Sequence, residues 1–336
     1  MVMEIEDKIL PRPIQEWEVV RPKIKILLFY IVYPMAMATY FKKALQHRDD
    51  VELFVVGPYT KSWIPWQGGM NLPEKYAVEP DISLPFGPSI GEVNYDLVKM
   101  LLPEGWIPDI VLNIDAGIHW KSKPSDGYVV TVGTDPHVLN GWYDTPRKYS
   151  DKFYNMQLCY SKNGDAYLPY AYSQYDHFPW DEYVTYEQIP VKDTDAVLIG
   201  MPYENRVQWV NELRKRGLSV IFENGPVYDE ARIAYNRGRI GLNWSSLDDL
   251  NARAFELPAM KLAPVMNLVP DIGRFFKQGT HYDGFTTLQE AVERVVWLKE
   301  HPIEQRGMAN LAYDNVRAEH YDARIDTILK DGGFYG

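Results

Sequence analysis

The amino-acid sequence switches, twice over, between short apolar runs and stretches of helical period. In the first half the apolar runs fall at residues 23–30 (KIKILLFY), 51–57 (VELFVVG), 109–114 (DIVLNI), 128–132 (YVVTV) and 153–160, with helical character at 38–46 and 94–102. The second half repeats the pattern at 195–199 (DAVLI), 218–222 (LSVIF), 240–244 (IGLNW) and 262–266 (LAPVM). Helices are expected between them at 207–216, closed by Gly217, and at 228–236, 272–277 and 288–300; two more, 302–320 and 323–329, finish the chain. Runs this apolar read as strands buried on both faces. A strand–helix–strand crossover is right-handed and builds a parallel sheet. The expected fold class is therefore α/β, with two Rossmann-like domains. The aromatic, acidic, proline-punctuated stretch 169–190 suits a linker. It sets a first domain at 1–174 and a second at 175–336, whose last helices can return to the first.

A chain of 336 residues is long for one core and comfortable for two domains of roughly 150 residues. Residues 1–20 read as a leading arm, and 58–89, rich in Gly, Pro and aromatics, as a loop. No apolar run approaches the roughly 20 residues of a membrane span. The charged start MVMEIEDKILPRP lacks a signal-peptide core. Cys159 is the sole cysteine and suits a reducing compartment, so a cytoplasmic location is expected. Between Leu158 and Tyr160 it reads as a buried structural thiol. The net charge of -11 weighs against non-specific binding to nucleic acid or acidic membranes.

Chemistry-bearing residues gather in one stretch, 240–260 (IGLNWSSLDDLNARAFELPAM). Its order is strand, polar turn, helix start, which aims backbone N–H groups at one place and favours an anion. Ser245, Ser246, Asp248 and Asp249 form the turn, and Asn251, Arg253 and Glu256 lie in the helix-like segment after it. Arg253 adds a forked cation suited to phosphate, and Glu256, three residues on, is a carboxylate for sugar hydroxyls. In the first half, Asp115 and His119 follow one strand, and Asp135 and His137 follow the next. These are strand carboxyl ends, where open α/β sheets hold ligands.

The second half resembles the glycosyl transferases group 1, and within them the subgroup of the spore-maturation glycosyltransferases. The residues that carry the resemblance are Gly-x-Pro-Tyr-x-Asn-Arg at 200–206, Ile-Gly-Leu-Asn-Trp-Ser-Ser at 240–246, Asn-x-Arg-x-Phe-Glu at 251–256, Val-Pro-Asp-Ile at 269–272, and the tail residues His301-Pro302 and Ala318-Glu319-His320-Tyr321. The first half resembles the family only through DIVLNIDAG and Asp135-Pro136-His137. The resemblance implies the GT-B fold, two Rossmann-like domains facing across a cleft that holds a nucleotide-sugar, expected to be UDP-linked. It implies that Glu256 holds the ribose, that Asp248, eight positions earlier, is its acidic partner, and that Arg206 and Arg253 lie near the diphosphate. Met260-Lys261 stand where the family often has Cys-Gly.

Sugar transfer requires stabilisation of a leaving diphosphate and, for inversion, a base on the acceptor hydroxyl. Asp115 is the first candidate base, because the Ala-Gly after it leaves room for an acceptor; His119 and His137 are the others. No third ligand at metal spacing accompanies Asp135-Pro136-His137, so no metal is expected. No GxGxxG follows the first strand and no Walker motif is present, which disfavours dinucleotide and P-loop enzymes. Besides a transferase acting on an unidentified acceptor, two readings stay open. One is a phage-type transferase acting on modified DNA bases, with nucleic acid entering only as acceptor. The other is a non-catalytic sugar-nucleotide-binding protein.

Overall fold

The structure, a computed structural model, describes residues 22–64, 69–85, 92–180 and 191–335. The expected arm at 1–20 and the second part of the linker, 181–190, lie outside them.

The apolar runs of the first half pair into one parallel sheet. Its strands are β1 (Ile24–Phe29), β2 (Val51–Pro58), β3 (Ile82–Leu84), β4 (Ile110–Ile114), β5 (Tyr128–Gly133), β6 (Lys152–Asn155) and β7 (Ala166–Tyr167), in the order β7-β6-β5-β4-β1-β2-β3. All of β4 is buried, as two-sided burial of an uninterrupted apolar run requires. The second sheet holds β8 (Thr194–Ile199), β9 (Val220–Glu223), β10 (Gly238–Asn243), β11 (Ala263–Asn267) and β12 (Asp283–Phe285), in the order β9-β8-β10-β11-β12. It is parallel throughout. Both orders are doubly wound. Strand order reverses between β1 and β4 in the first sheet and between β8 and β10 in the second.

Ten helices are used below, all among the described residues: α1 (Met37–Gln46), α2 (Tyr95–Lys99), α3 (Pro136–Leu139), α4 (Asp144–Tyr149), α5 (Glu204–Lys215), α6 (Tyr228–Arg237), α7 (Arg253–Ala259), α8 (Leu288–Glu300), α9 (Pro302–Val316) and α10 (Tyr321–Asp331). Helix α5 ends as its sequence implies. Gly217 takes a φ of 78°, and Leu218 N donates to the Leu213 carbonyl at 3.2 Å, so the glycine supplies the left-handed turn that ends the helix. Helix α8 starts on a capping box between Thr287 and Glu290.

Several elements depart from their sequence patterns. The loop expected at 58–89 contributes β3, and residues 283–285 form an edge strand; both are too short to show a period. The strand expected at 153–160 stops at Asn155, and 158–160 form a 3₁₀ turn. Cys159, expected to be buried, is exposed there, with its backbone N–H on Asp271 Oδ2 at 3.3 Å. Desolvation and the Asp271 carboxylate push its thiol pKa up, which does not favour a nucleophile.

The chain's last helix packs on the first sheet's side. Tyr321 of α10 stacks on Tyr40 of α1 at 5.5 Å and meets Phe41 edge-on at 4.9 Å. One apolar cluster accordingly runs from β1 and α1 through α10 to Leu250, Ala254 and Phe255. Among the described residues no helix is long and apolar enough to cross a membrane.

Candidate functional site

The second sheet's switch point carries two arginines. Strand β8 ends at Ile199, and Gly200 follows with a φ of 146°, a conformation that side chains resist. A Cβ placed on Gly200 would stand 2.6 Å from Arg253 Nη2 and 3.4 Å from Arg206 Nη1. Both guanidinium groups therefore close over this one glycine. Arg206, in the first turn of α5 and only 5% exposed, donates from Nε to the Trp244 carbonyl at 2.8 Å and from Nη1 to the Met201 carbonyl at 3.1 Å. Arg253 donates from Nε to Tyr235 Oη at 3.2 Å, from Nη1 to Asn243 Oδ1 at 3.3 Å and from Nη2 to the Ile199 carbonyl at 2.6 Å. These partners are neutral, and neither arginine has an ion pair among the described residues. Burial and the neighbouring Arg253 push the Arg206 pKa down to about 10. For Arg253, burial works against the charge, but the Tyr235 hydroxyl and the Glu256 carboxylate outweigh it and raise its pKa. Two partly buried cations held side by side by neutral groups can take an anion between them.

Glu256 lies one turn along α7, and its Oε1 is 3.8 Å from His177 Nε2. His177 Nδ1 accepts the Ser173 N–H at 3.0 Å, which leaves the ring proton on Nε2, toward the carboxylate. Ser173 Oγ donates to Asp176 Oδ2 at 2.7 Å and closes the turn that holds His177. The sequence reading did not select His177. The signal was the string Ser-x-x-Asp-His, whose first and fourth residues cap a turn in the manner of a capping box.

The turn between β10 and α7 differs from its expectation. The Ala254, Phe255 and Glu256 N–H groups, expected to face an anion, already bond the Asn251 and Ala252 carbonyls at 2.9–3.1 Å. Ser245 is buried; its N–H goes to Asn267 Oδ1 at 2.8 Å, and its hydroxyl bonds Asp249. Ser246 and Asp248 are exposed, and Asp248 takes a φ of 51°. The buried acid of this turn is Asp249, which accepts from Gln157 of the first half at 3.0 Å. Asn251 makes a reciprocal amide pair with Asn243 at 3.0 and 3.2 Å and so fixes the acceptor of Arg253. The structure therefore brings Arg206, Arg253, Asn251 and Glu256 together, while Ser245 shapes the loop and Ser246 and Asp248 stand in solvent.

Across from this turn, Asp115 has a φ of 73°, and its Oδ1 takes three donors: Ala116 N at 2.6 Å, Thr134 Oγ1 at 2.9 Å and Tyr143 Oη at 3.1 Å. Three donors on one oxygen make it the clasp of its turn. His119 lies in a two-residue ribbon paired with Glu92, its Nε2 without a partner, and burial lowers its pKa. His137 sits in α3 with Nδ1 unpartnered and Tyr160 at 5.7 Å. Asp135, at the N-cap of α3, is exposed and has a φ of 35°. Desolvation raises its carboxyl pKa; Asp115 and Asp249 act in the same direction, while Tyr170 and His137 oppose it. Tyr170 Oη donates to its Oδ1 at 3.0 Å. Asp135 was legible as a strand-end residue but not as the base, because its charged neighbours come from distant positions. Among the described residues no three His, Cys, Asp or Glu side chains form a metal-sized group.

Two doubly wound sheets, with a cation pair at one switch point and a raised carboxyl near the other, have the arrangement of the GT-B fold. Residues 187–330 match the family model described as glycosyl transferase-like. No curated sequence matches the chain. Among solved structures it is similar to an Anabaena protein, HepE, in complex with UDP and glucose: TM-score 0.60, 11% identity, covering 92% of this chain and 100% of the other. It is similar to a sucrose-phosphate synthase from Thermosynechococcus elongatus, with TM-score 0.59, 9% identity and coverage of 92% and 99%. It is also similar to an alpha-glucosyltransferase in complex with UDP and a 13-mer DNA, with TM-score 0.58, 12% identity and coverage of 93% and 100%. At these identities the likeness is one of fold.

Proposed function

We propose that the chain is a glycosyltransferase that takes its sugar from a UDP-linked donor held by the second domain and passes it to an acceptor hydroxyl held by the first. The observation that carries the reading is the closure of Arg206 and Arg253 over Gly200, with no ion pair to either among the described residues. A donor diphosphate supplies the missing anion, and the same cations stabilise the leaving group as the glycosidic bond breaks. Glu256, steadied by His177, takes ribose hydroxyls. Asp135 is the base that removes the acceptor proton, in place of Asp115. The complexes with UDP among the similar structures support the choice of nucleotide.

Calorimetry with UDP and a hydrolysis assay with UDP-sugars test the proposal. Arg206→Ala and Arg253→Ala are expected to weaken UDP binding at least tenfold, about 1.4 kcal/mol each, with folding intact. Wild-type affinity in both variants would overturn it. Tight UDP binding with neither transfer nor hydrolysis would favour a non-catalytic binder.

A further inference from the structure

A cavity of about 370 Å³ opens beside the anion site, between the ends of β1 and β2, helix α1 and the first turn of α6. Its volume is that of a small-molecule site. Four lysines line it: Lys42, Lys43, Lys61 and Lys75. Two of them are spoken for, since Lys43 pairs with Asp176 and Lys75 with Glu230. The carboxylates on the wall are occupied too: Asp176 by Lys43 and Asp229 by Arg232 at 2.6 Å. Lys42 is different. It is 6% exposed and has neither an ion pair nor a hydrogen bond among the described residues. Burial lowers its pKa, and Asp81 only partly opposes this. Lys61, exposed at the rim, is likewise unpaired among the described residues. A buried ammonium with no ion-pair partner among the described residues, and only the partial influence of Asp81, is costly in a protein of net charge -11 that has carboxylates to spare.

The cavity also borders the donor end. Asp176 in its wall directly precedes His177, the neighbour of Glu256, and Tyr40 stands 5.4 Å from the His177 ring and 6.3 Å from the Tyr228 ring. Tyr59, Tyr76 and Tyr228 give the cavity aromatic walls with polar tips.

We infer that this cavity binds the phosphate of a small phosphomonoester acceptor, with Lys42 and Lys61 as its cations. The acceptor role rests on the donor reading above; the anion site itself does not. Its size and enclosure by side chains favour a small molecule over a duplex.

Glycerol 3-phosphate is the probe, titrated calorimetrically into the full chain with and without saturating UDP, against glycerol as the neutral control. Wild type is expected to bind the phosphate and not glycerol, with UDP failing to displace it. Lys42→Met and Lys61→Ala are each expected to weaken glycerol 3-phosphate at least tenfold and leave UDP affinity unchanged. The exposed Lys61 keeps the test valid should Lys42→Met unfold. Equal affinity in wild type and both variants, no binding by wild type, or full displacement by UDP would overturn the site. Lysine-dependent phosphate binding without any UDP binding would support the anion site and sink the donor reading. Binding of a hydroxymethylated DNA duplex that is lost in the same variants, with glycerol 3-phosphate inert, would replace the small acceptor by DNA.

Discussion

Arg253 reaches across Gly200 so closely that Nη2 occupies the space beside a missing side chain, 2.6 Å from where a Cβ would stand. The glycine is thus both a backbone necessity, at φ 146°, and the floor of the cation pair. Gly200→Ala is expected to destabilise the fold by about 1–3 kcal/mol through backbone strain. It is also expected to displace Arg253, with UDP affinity falling roughly tenfold or more. Urea unfolding and calorimetry read the two effects separately; unchanged UDP affinity would remove the glycine from the site.

Asp135 allows a pH argument whose sign is fixed. Its folded-state pKa lies above the ordinary carboxylate value, chiefly from desolvation and then from Asp115. The folded state therefore holds the proton more tightly than the unfolded chain. That contribution to stability is full below the unfolded value of roughly 3.9 and is lost as pH rises through the folded value. At neutral pH the charged carboxylate is a burden on the fold. Asp135→Asn is expected to raise Tm at pH 7, with the gap closing in acid, while transfer to the acceptor is lost. In wild type, kcat/KM is expected to fall on acidification with an apparent pKa above that of an ordinary aspartate. A variant that keeps full transfer would exclude Asp135 as the base.

Arg206 titrates in reach of experiment because burial and Arg253 bring its pKa down to about 10. Only the protonated guanidinium attracts a diphosphate. UDP affinity is expected to fall as pH rises toward and through 10, and binding near that pH should be accompanied by proton uptake. Calorimetry in buffers of different ionisation enthalpy measures the uptake; a flat profile would show that Arg206 does not meet the phosphates.

In the proposed donor site His177 stands beside Glu256, 3.8 Å away. His177→Ala removes the ring that stands at ion-pair distance from the carboxylate, a contact worth on the order of 1 kcal/mol. The expected result is a donor KM raised several-fold with kcat little changed, while Glu256→Gln lowers both affinity and turnover. Steady-state kinetics at saturating acceptor distinguishes the two. Equal losses in kcat and KM for His177→Ala would assign it to the chemistry instead.

The alternation of apolar runs was enough to read both sheets, because two-sided burial leaves a mark on nearly every residue of a central strand. β3 and β12 escaped that reading, being three-residue edges too short for a period. In the candidate site, Arg253 and Glu256 were legible from the order strand, polar turn, helix start, and Arg206 through the family resemblance. Asp135 was legible as a strand-end residue and His177 left only the local Ser-x-x-Asp-His string, but the contacts that give each its place, Tyr170 and Asp249 for Asp135 and Glu256 for His177, come from distant positions. The helix start at Arg253 misled in one respect: its turn looks like an anion cradle in sequence, but Asn251 and Ala252 already bond its N–H groups. The cations, not the backbone, define the proposed anion site.

The return of α10 to the first half ties the two sheets together. Tyr321 N donates to the Tyr172 carbonyl at 3.2 Å, and Tyr172 N to the Glu319 carbonyl at 3.1 Å, so the chain enters α10 already bonded to the segment leaving the first sheet. Ile325, one turn along α10 and 1% exposed, sits in the apolar cluster shared with α1. Ile325→Ala leaves a cavity there and is expected to cost about 2–5 kcal/mol, on the order of 10 °C in Tm. Ile325 touches neither the arginines nor the lysine cavity, so UDP affinity measured well below Tm should stay at the wild-type value. Loss of UDP binding without loss of Tm would mean that α10 shapes the cleft and does not merely dock the two halves.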